Sequence, residues 1–360
     1  MADDGPGGLT NRVREERLRR GWSQDDLARR AGVSRAGVSA TETGRLVPSA
    51  AAALALAAAF GCRVEDLFAL PGSAPPGGGL SWAWEPGRAA CRYWDAELGG
   101  RVVRYPVEAT PLGVTPHDGT WAAAQGESHP SSPPPADPSR TLVLACCDPA
   151  VGLLAGVLAR ETGVRLIALP RSSGEALRLL RLGLVHAAGV HLARPGDDSG
   201  NDAAVRQTLG TGYTLIRAAR WEEGVAVGPG LRFSSVNEAL RGRLRWVGRE
   251  PGSGARQCLD ELLEGRRPPR RLARDHRGVA EAVRSGWADA GVCLRLTGEE
   301  AGLDFLPVRE EAYDLCAPTS FRHDPRFEAL TRVLRSTPYR KLLAALPGYD
   351  AGETGETRKV

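Results

Sequence analysis

The chain has 360 residues, of which 42% are hydrophobic and 25% charged, and its formal net charge is +4. It contains no run of about 18 apolar residues, which is the length that a helix needs to span a bilayer. This composition is typical of an ordinary globular protein of two or three domains and excludes a protein embedded in a membrane.

The N-terminal sequence and the cysteines indicate a cellular compartment. The first residues, MADDGPGGLTNRVREERLRR, lack the basic start, apolar core and small-residue cleavage site of a secretory signal. The seven cysteines form no CxxC pair and no Cys/His spacing typical of a metal site, and an odd number cannot all pair within one chain. These features predict a cytoplasmic protein with reduced thiols, no metal site and no cofactor.

Two runs rich in proline and small polar residues predict linkers. One is PGSAPPGGG between Leu70 and Leu80, and the other is ESHPSSPPPADPS between Gly126 and Arg140. They divide the chain into an all-α head at residues 9–70, a small β-containing middle module of unassigned role at residues 80–125, and an α/β body at residues 141–346. The C-terminal residues GETGETRKV are expected to fray.

The head contains signals for three short helices. The first helix is predicted to end at Gly21, where glycine tolerates a left-handed conformation. Ser23 starts a Ser-x-x-acid capping box for the second helix, which ends at Gly32. Ser34 caps a third helix whose outer face carries small and polar side chains. Two helices joined by such a tight turn are typical of proteins that place the second helix in the DNA major groove.

The stretch RRGWSQDDLARRAGVSRAGVSATETGRLVPSAAAALALAAAFGCRVEDLF resembles the XRE family, the Cro and lambda-repressor-like helix-turn-helix proteins. It follows the family's pattern without a gap: a Ser-Gln start, an Ala-Gly-Val-Ser turn, an acid-x-Gly exit and a final Leu-Phe. The resemblance implies double-stranded DNA as a partner. The residues that it places at or near DNA are Gln24 at a phosphate and Ser34, Arg35, Ala36, Gly37 and Ser39 at the reading helix.

The body alternates strand and helix signals, which predicts a mainly parallel sheet flanked by helices. TLVLAC precedes CDPAVGLLAGVLARETG, VRLIALP precedes RSSGEALRLLRLG, and LRWVG precedes REPGSGARQCLDELLEG. Three helix N-termini therefore lie past the carboxyl ends of strands, where open α/β sheets bind ligands, and their free amides favour a small anion. Two crossings between lobes are predicted near residues 213–227 and 305–318.

The body is similar to the periplasmic-binding-protein-like domains, in particular to the molybdate-binding proteins. The similarity is carried by CDPAVGLLAGVLA, LRLGLVHAAGVHLARP, GYTLIRAARWEEGVAVGPG, VGREPGSGARQCLDELL, GVAEAVRSGWADAGVCL and GLDFLPVREEAYDL. It implies a two-lobed, type II fold that closes over a tetrahedral oxyanion such as molybdate or tungstate. The residues that it implies as contacts are Cys147, Asp148, Ser172, Ser173, Ser253, Arg256 and Tyr313.

Catalytic and metal-binding interpretations have weaker support. Cys147 beside Asp148, with His191 or His276 as a base, is disfavoured because the carboxylate destabilises a thiolate and no third, orienting group is evident. His186 and His191 are five residues apart and share neither a strand face nor a helical ligand spacing. We therefore expect a binding protein rather than an enzyme.

The sequence predicts a ligand-responsive transcriptional regulator. In this hypothesis an oxyanion effector closes the two lobes of a homodimer and changes how its paired heads meet the half-sites of an operator. Two alternatives stay open: the body senses a small organic acid or amino acid, or it has lost its ligand and only dimerises.

Overall fold

The computed structural model describes residues 10–60, 62, 64–69, 81–87, 90–108, 116–122, 127–131, 136–192 and 199–360. The chain divides into two compact units, Met1–Leu80 and Ser81–Val360. The predicted boundaries at residues 70, 80, 125 and 141 stay predictions. The first predicted linker lies outside the described residues, and so do the first nine residues.

The first unit is helical, as predicted. Its helices are α1 (Val13–Arg19), α2 (Gln24–Ala31), α3 (Arg35–Glu42), α4 (Ala50–Phe60) and α5 (Val64–Leu67), and its two short strands, β1 (Thr10–Asn11) and β2 (Phe68–Ala69), pair antiparallel. The Ser23 side chain accepts from the Asp26 amide, which completes the predicted capping box. Gly32 ends α2 with φ 64°, a left-handed conformation that glycine adopts without strain.

Apolar side chains from all five of these helices form the core of this unit. Leu27 of α2, Val38 of α3 and Leu56 of α4 are buried together. Trp22 stacks on Phe60 with ring centroids 5.7 Å apart. This core holds α3 against α2 through Val38 and leaves the face of α3 with Arg35 and Ala36 exposed.

The second unit begins with a five-stranded sheet that packs against the body. Its strands are β3 (Ser81–Trp82), β4 (Ala90–Leu98), β5 (Arg101–Pro106), β6 (Gly119–Ala122) and β7 (Glu127–Pro130). The Tyr105 hydroxyl donates to the Leu184 carbonyl over 2.8 Å, and the Arg165 guanidinium pairs with Asp118. Because β7 pairs with β6, residues 127–130 belong to this sheet and are not a flexible linker.

The body alternates strands and helices. Its strands are β8 (Thr141–Cys146), β9 (Arg165–Pro170), β10 (Ala187–Val190), β11 (Tyr213–Val227), β12 (Trp246–Gly248), β13 (Arg271–Leu272), β14 (Ala290–Leu294), β15 (Asp304–Pro318), β16 (Tyr349–Asp350) and β17 (Thr357–Lys359). Its helices are α6 (Val151–Thr162), α7 (Ser173–Arg181), α8 (Ser199–Leu209), α9 (Val236–Arg241), α10 (Gly254–Leu262), α11 (His276–Arg284), α12 (Arg295–Glu300), α13 (Pro325–Arg335) and α14 (Thr337–Ala344). In the described part of the chain no helix is both long and apolar enough to cross a bilayer.

Two long antiparallel strands connect the two halves of the body. Strands β8, β9 and β10 pair in parallel in the first lobe, and β12, β13 and β14 pair in parallel in the second. Strands β11 and β15 pair with each other along their length and contact β10 at one end and β14 at the other. They span the two predicted crossings, so the two-lobed α/β prediction is confirmed.

The prediction of a frayed C-terminus is wrong. Strand β17 pairs with β11, and the Arg358 guanidinium binds both Asp202 and Asp314. The Val360 carbonyl also accepts from the amides of Gly212 and Tyr213. The tail is therefore a strand at the edge of the first lobe, because its arginine supplies the charge that the buried Asp314 carboxylate requires.

Candidate functional site

The head presents the start of α3 as an open surface. The Ser34 side chain caps α3 by accepting from the Gly37 amide over 3.0 Å. Arg35 and Ala36 are exposed, Gly37 and Ser39 are half-buried, and Val38 faces the core. Arg35 pairs with Asp25 at 3.6 Å, and because both side chains are exposed, the guanidinium can move to another acceptor at little cost.

Gln24 lies at the first position of α2, but its side chain is already engaged. Its amide nitrogen donates to Glu42 over 2.9 Å, and Glu42 also binds the Arg17 guanidinium at 2.6 Å and 3.0 Å. The Glu42 carboxylate is buried, yet these partners hold its pKa below the usual value against the effect of burial. This network ties α1, α2 and α3 together and sets the position of Gln24.

In the body, two helix N-termini from different lobes meet. The amide of Gly174, in the first turn of α7, donates to the carbonyl of Gly252 over 3.1 Å, just before α10. Gly254 starts α10 so close to His191 that a Cβ there would overlap the imidazole ring. The structure thus brings together two of the predicted helix starts in a closed cleft.

The predicted serines lie at this junction. The Ser173 hydroxyl is fully buried and accepts from the amide of His191 over 3.1 Å. The Ser253 hydroxyl caps α10 and donates to the Glu250 carbonyl over 3.0 Å. Ser172 precedes α7 and is buried without a capping bond from its side chain.

The predicted 147–148 loop lies on the other side of His191. The Cys147 sulfur is 3.0 Å from Nε2 of His191. Asp148 accepts from the Ala150 amide over 2.8 Å and from the Tyr349 hydroxyl over 2.7 Å. Asp148 therefore stabilises the loop, and burial raises the pKa of its carboxyl.

The remaining two predicted contacts have other neighbours. The Arg256 guanidinium binds Asp260 on its own helix at 2.8 Å and the Arg249 carbonyl at 3.1 Å. The buried Tyr313 ring stacks on Trp221, with centroids 4.3 Å apart and an interplanar angle of 14°. Tyr313 thus contributes an aromatic wall to the cleft, whereas Arg256 is held at the helix surface.

A group of buried charges lies beside His191. Nδ1 of His191 is 3.0 Å from the Glu311 carboxylate, which also binds the Arg309 guanidinium at 2.5 Å. Arg309 in turn binds Glu223 at 3.0 Å and Glu261 at 2.9 Å. Burial raises the pKa of Glu223 to about 8 and that of Glu311 to about 7. Arg309 therefore holds three carboxyl groups together beside His191.

The second lobe adds His276 and Arg249. Both ring nitrogens of His276 and Nη1 of Arg249 are buried and have no hydrogen-bond partner among the described residues. Burial, with Arg249 nearby, holds the pKa of His276 well below its usual value, so the ring is neutral. Burial also opposes a charge on His191, but the neighbouring Cys147 and Glu223 raise its pKa.

From the sequence, His191 is a possible base or metal ligand and His276 is a possible base, but Glu223, Arg309 and Glu311 are not identified. Charged side chains inside otherwise apolar strands, as in RWEEGVAV, were the available signal. The sequence alone indicates no third group to orient the histidine. In the structure that group is Glu311, two residues before Tyr313 on β15. His191 thus contacts Cys147 through one ring nitrogen and Glu311 through the other, but all three side chains are buried.

Comparison with known proteins matches both parts of the chain. Residues 155–335 match the PBP superfamily domain, and residues 13–67 match a helix-turn-helix model. YvgK of Bacillus subtilis is 30% identical over 160 residues, which is 42% of this chain and 51% of YvgK, about half of that relative. The HTH-type transcriptional regulator YgzD of Bacillus subtilis is 44% identical over 60 residues, 17% of this chain and 91% of YgzD.

Among solved structures, the tungstate ABC transporter from Geobacter sulfurreducens aligns with 57% of this chain and 97% of its own, at 15% identity and a TM-score of 0.43.

Proposed function

We propose that this chain, which belongs to the PBP superfamily by residues 155–335 and carries a helix-turn-helix head at residues 13–67, is a transcriptional regulator that responds to an oxyanion. The chain is a DNA-binding helix-turn-helix protein fused to a PBP-like ligand-binding domain. The observation that carries the proposal is the junction of two helix N-termini at Gly174 and Gly252. A regulator of this kind acts on DNA, which is consistent with a cytoplasmic location.

The head supplies the DNA contacts in this proposal. The reading surface of α3 consists of Ser34, Arg35, Ala36, Gly37 and Ser39, and Gln24 lies at a phosphate. In a homodimer two such surfaces would meet half-sites about 34 Å apart, since one turn of B-DNA separates equivalent grooves. The open face of α3 and the weakly held Arg35 support this role.

The cleft of the body supplies the effector site. Each helix N-terminus carries a partial positive charge, which favours an anion. The Gly174 amide, which now donates to the Gly252 carbonyl, would become available to an anion if the two helix starts moved apart. Ser173 and Ser253 lie at the starts of α7 and α10, and Nη1 of Arg249 is a buried donor without a partner in the described chain. A tetrahedral oxyanion such as molybdate or tungstate, which accepts several hydrogen bonds at once, fits this set of donors. Arg309, paired with both Glu223 and Glu311, compensates the carboxylates nearby.

A small organic acid or amino acid is the second candidate effector. The stacked pair of Trp221 and Tyr313 borders the cleft beside His191 and favours a ligand with an apolar part. A body that only dimerises, without any ligand, is the third possibility. These three possibilities differ in which ligand, if any, raises the thermal stability of the protein.

The test is a thermal-shift titration of the full chain with molybdate, tungstate, sulfate, phosphate and a panel of organic acids. A ligand at 100 times its dissociation constant adds about 2.7 kcal/mol to the free energy of unfolding if it binds only the native state. We expect molybdate or tungstate, but not sulfate, to raise the melting temperature. We also expect the affinity for the operator to change in the presence of molybdate or tungstate. A shift with organic acids alone, or unchanged operator affinity at saturation, contradicts the oxyanion proposal.

A further inference from the structure

His276 is the least satisfied polar side chain near the cleft. It is the first residue of α11 and 1% exposed, and neither ring nitrogen has a hydrogen-bond partner in the described part of the chain. Buried polar groups are nearly always paired, so a buried imidazole with two unpaired nitrogens implies a partner that the described residues do not supply. A neutral imidazole offers a lone pair, and its natural partner is a proton donor or a metal ion.

His191 is oriented toward the same point by a carboxylate. Nδ1 of His191 is 3.0 Å from Glu311, which favours a proton on Nδ1 and leaves the lone pair on Nε2. Nε2 faces the Cys147 sulfur at 3.0 Å. In metal sites a histidine commonly binds the ion through one nitrogen while a carboxylate holds the other. Glu311 has the place of that carboxylate.

The donor atoms of Cys147, His191 and His276 converge. Their ligand-capable atoms all lie within 4.8 Å of one another, and the three residues are buried. In a tetrahedral zinc site, with bonds of about 2.3 Å to sulfur and about 2.0 Å to nitrogen, the donor atoms lie about 3.3 to 3.6 Å apart. The 3.0 Å between Cys147 and His191 would lengthen by about half an ångström. Donor atoms at the 4.8 Å limit would approach by about 1.3 Å, so binding requires the ligand side chains to rotate toward the ion.

We propose that Cys147, His191 and His276 bind a divalent transition-metal ion of the zinc class, with Glu311 as the residue that positions His191. One thiolate and two imidazoles are the ligands that such ions prefer over magnesium or calcium. Three protein ligands leave a fourth position for water or an anion. The inference rests on the proposed function in one respect, because it places the ion in the cleft proposed as the effector site.

The ligands come from both lobes. Cys147 and His191 follow β8 and β10 in the first lobe, and His276 begins α11 in the second. An ion bound by all three would join the lobes, so the effector would be a metal ion, alone or with an oxyanion as its fourth ligand. The charges nearby do not oppose this, because Arg309 is paired with Glu223, Glu261 and Glu311, and Arg249 is paired with Glu250.

The experiment is a titration of the full chain with Co²⁺ and then Zn²⁺, without DNA, after reduction by a phosphine and removal of metals with a chelator. Tetrahedral Co²⁺ bound to a thiolate has a charge-transfer band and intense visible bands that octahedral Co²⁺ lacks. We expect one Co²⁺ per chain with these bands, and their loss when Zn²⁺ displaces the cobalt. The absence of a thiolate band in the wild-type chain, or more than one equivalent at similar affinity, overturns the proposal.

Matched variants separate the site from general effects on folding. Cys147→Ala should abolish the charge-transfer band, whereas Cys146→Ala, which removes the neighbouring buried thiol, should keep it. His276→Gln should weaken Co²⁺ binding at least 10-fold, whereas His186→Gln, at a buried histidine outside the cluster, should not. Glu311→Gln should weaken binding about 10-fold to 100-fold with the Co²⁺ spectrum unchanged, as for other carboxylates that orient a ligand. An unchanged band in Cys147→Ala contradicts the inference.

Failure of the metal site and failure of the regulator are distinguishable. If the chain binds no metal, but an oxyanion raises its melting temperature and changes its affinity for the operator, the metal-site inference fails and the proposed function stands. If Co²⁺ binds through Cys147 but neither metal nor anion changes operator affinity, the site exists and the proposed regulation fails. If iodoacetamide alkylates Cys147 rapidly and added metal does not slow the reaction, the thiol is activated by His191. That result would overturn the assignment of Cys147 as a metal ligand.

Discussion

The amide of Gly174 donates to the carbonyl of Gly252 over 3.1 Å, and this one bond joins the first turn of α7 to the loop before α10. A Cβ on Gly174 would lie 3.3 Å from that carbonyl oxygen. At this point the two lobes meet through two glycines, Gly174 and Gly252. The short distance between the starts of α7 and α10 depends on the absence of side chains there.

Gly174→Val should open this junction. The added methyl groups would press against Gly252, and overpacking of this kind costs about 1–3 kcal/mol in the free energy of unfolding. We expect weaker stabilisation by the effector as well. Gly156→Val is the matched control, because Gly156 also lies in a helix but a Cβ there meets nothing within 4 Å. Urea unfolding of both variants measures the difference, and equal costs would contradict the role of the junction.

The reading surface of α3 is tested by the double variant Arg35→Ala and Ser39→Ala. An arginine that contacts a base edge contributes about 1–3 kcal/mol, so operator affinity should fall about 10-fold to 100-fold or more while non-specific binding persists. Electrophoretic mobility shift against the operator and an unrelated duplex measures both. Arg284→Ala, which breaks an exposed pair with Glu281 on the body, should leave both unchanged. Unchanged operator binding by the double variant would refute the assignment of α3.

His186 should make stability depend on pH. Its Nδ1 accepts from the Val143 amide and its Nε2 donates to the Glu97 carbonyl, each over 2.9 Å. Burial, with Arg326 nearby, lowers the pKa of His186 from 6.5 to about 4. The unfolded chain thus takes up the proton first as the pH falls. The contribution to stability is complete above pH 6.5 and is lost, by about 3 kcal/mol, as the pH falls to 4.

Urea unfolding between pH 8 and pH 4 measures this effect. His186→Gln should be less stable at pH 8 but should lose less free energy between pH 6.5 and pH 4. His276, whose pKa is also low, leaves a residual slope in that variant. His323→Gln, at an exposed position, is the control and should follow the wild type. A slope in His186→Gln equal to that of the wild type would show that folding does not lower the pKa of His186.

The C-terminal strand should contribute to stability through Arg358. Its guanidinium binds Asp314 at 2.6 Å and Asp202 at 2.8 Å. Burial opposes the charge on Asp314, but Arg358 and Arg217 together hold the pKa of its carboxyl below the usual value. Arg358→Ala should cost about 1–3 kcal/mol, because Asp314 keeps Arg217 as a partner. Lys359→Ala, next on the same strand and exposed, should cost little. The stabilisation exists above the ordinary pKa of an aspartate and is lost as the pH falls below it.

The local structure of the head follows from its sequence alone. The capping box at Ser23, the left-handed turn at Gly32 and the cap at Ser34 each involve residues within four positions of one another. Such signals need no knowledge of the fold, so the helix-turn-helix could be predicted almost to the residue. The alternation of strands and helices predicts the α/β class of the body for the same reason, whereas its two lobes were implied by the resemblance to periplasmic-binding-protein-like domains.

The tertiary structure alone decided which side chains meet in the cleft. His191 and Glu311 are 120 positions apart, and their contact depends on the register of β10 against β15, in which Val190 lies opposite Asp314. A slip of one residue would turn Glu311 to the opposite face of the sheet. No local pattern encodes that register, because it is set by the packing of both lobes. The cysteine, the two histidines and the carboxylate are therefore visible in the sequence only as separate residues.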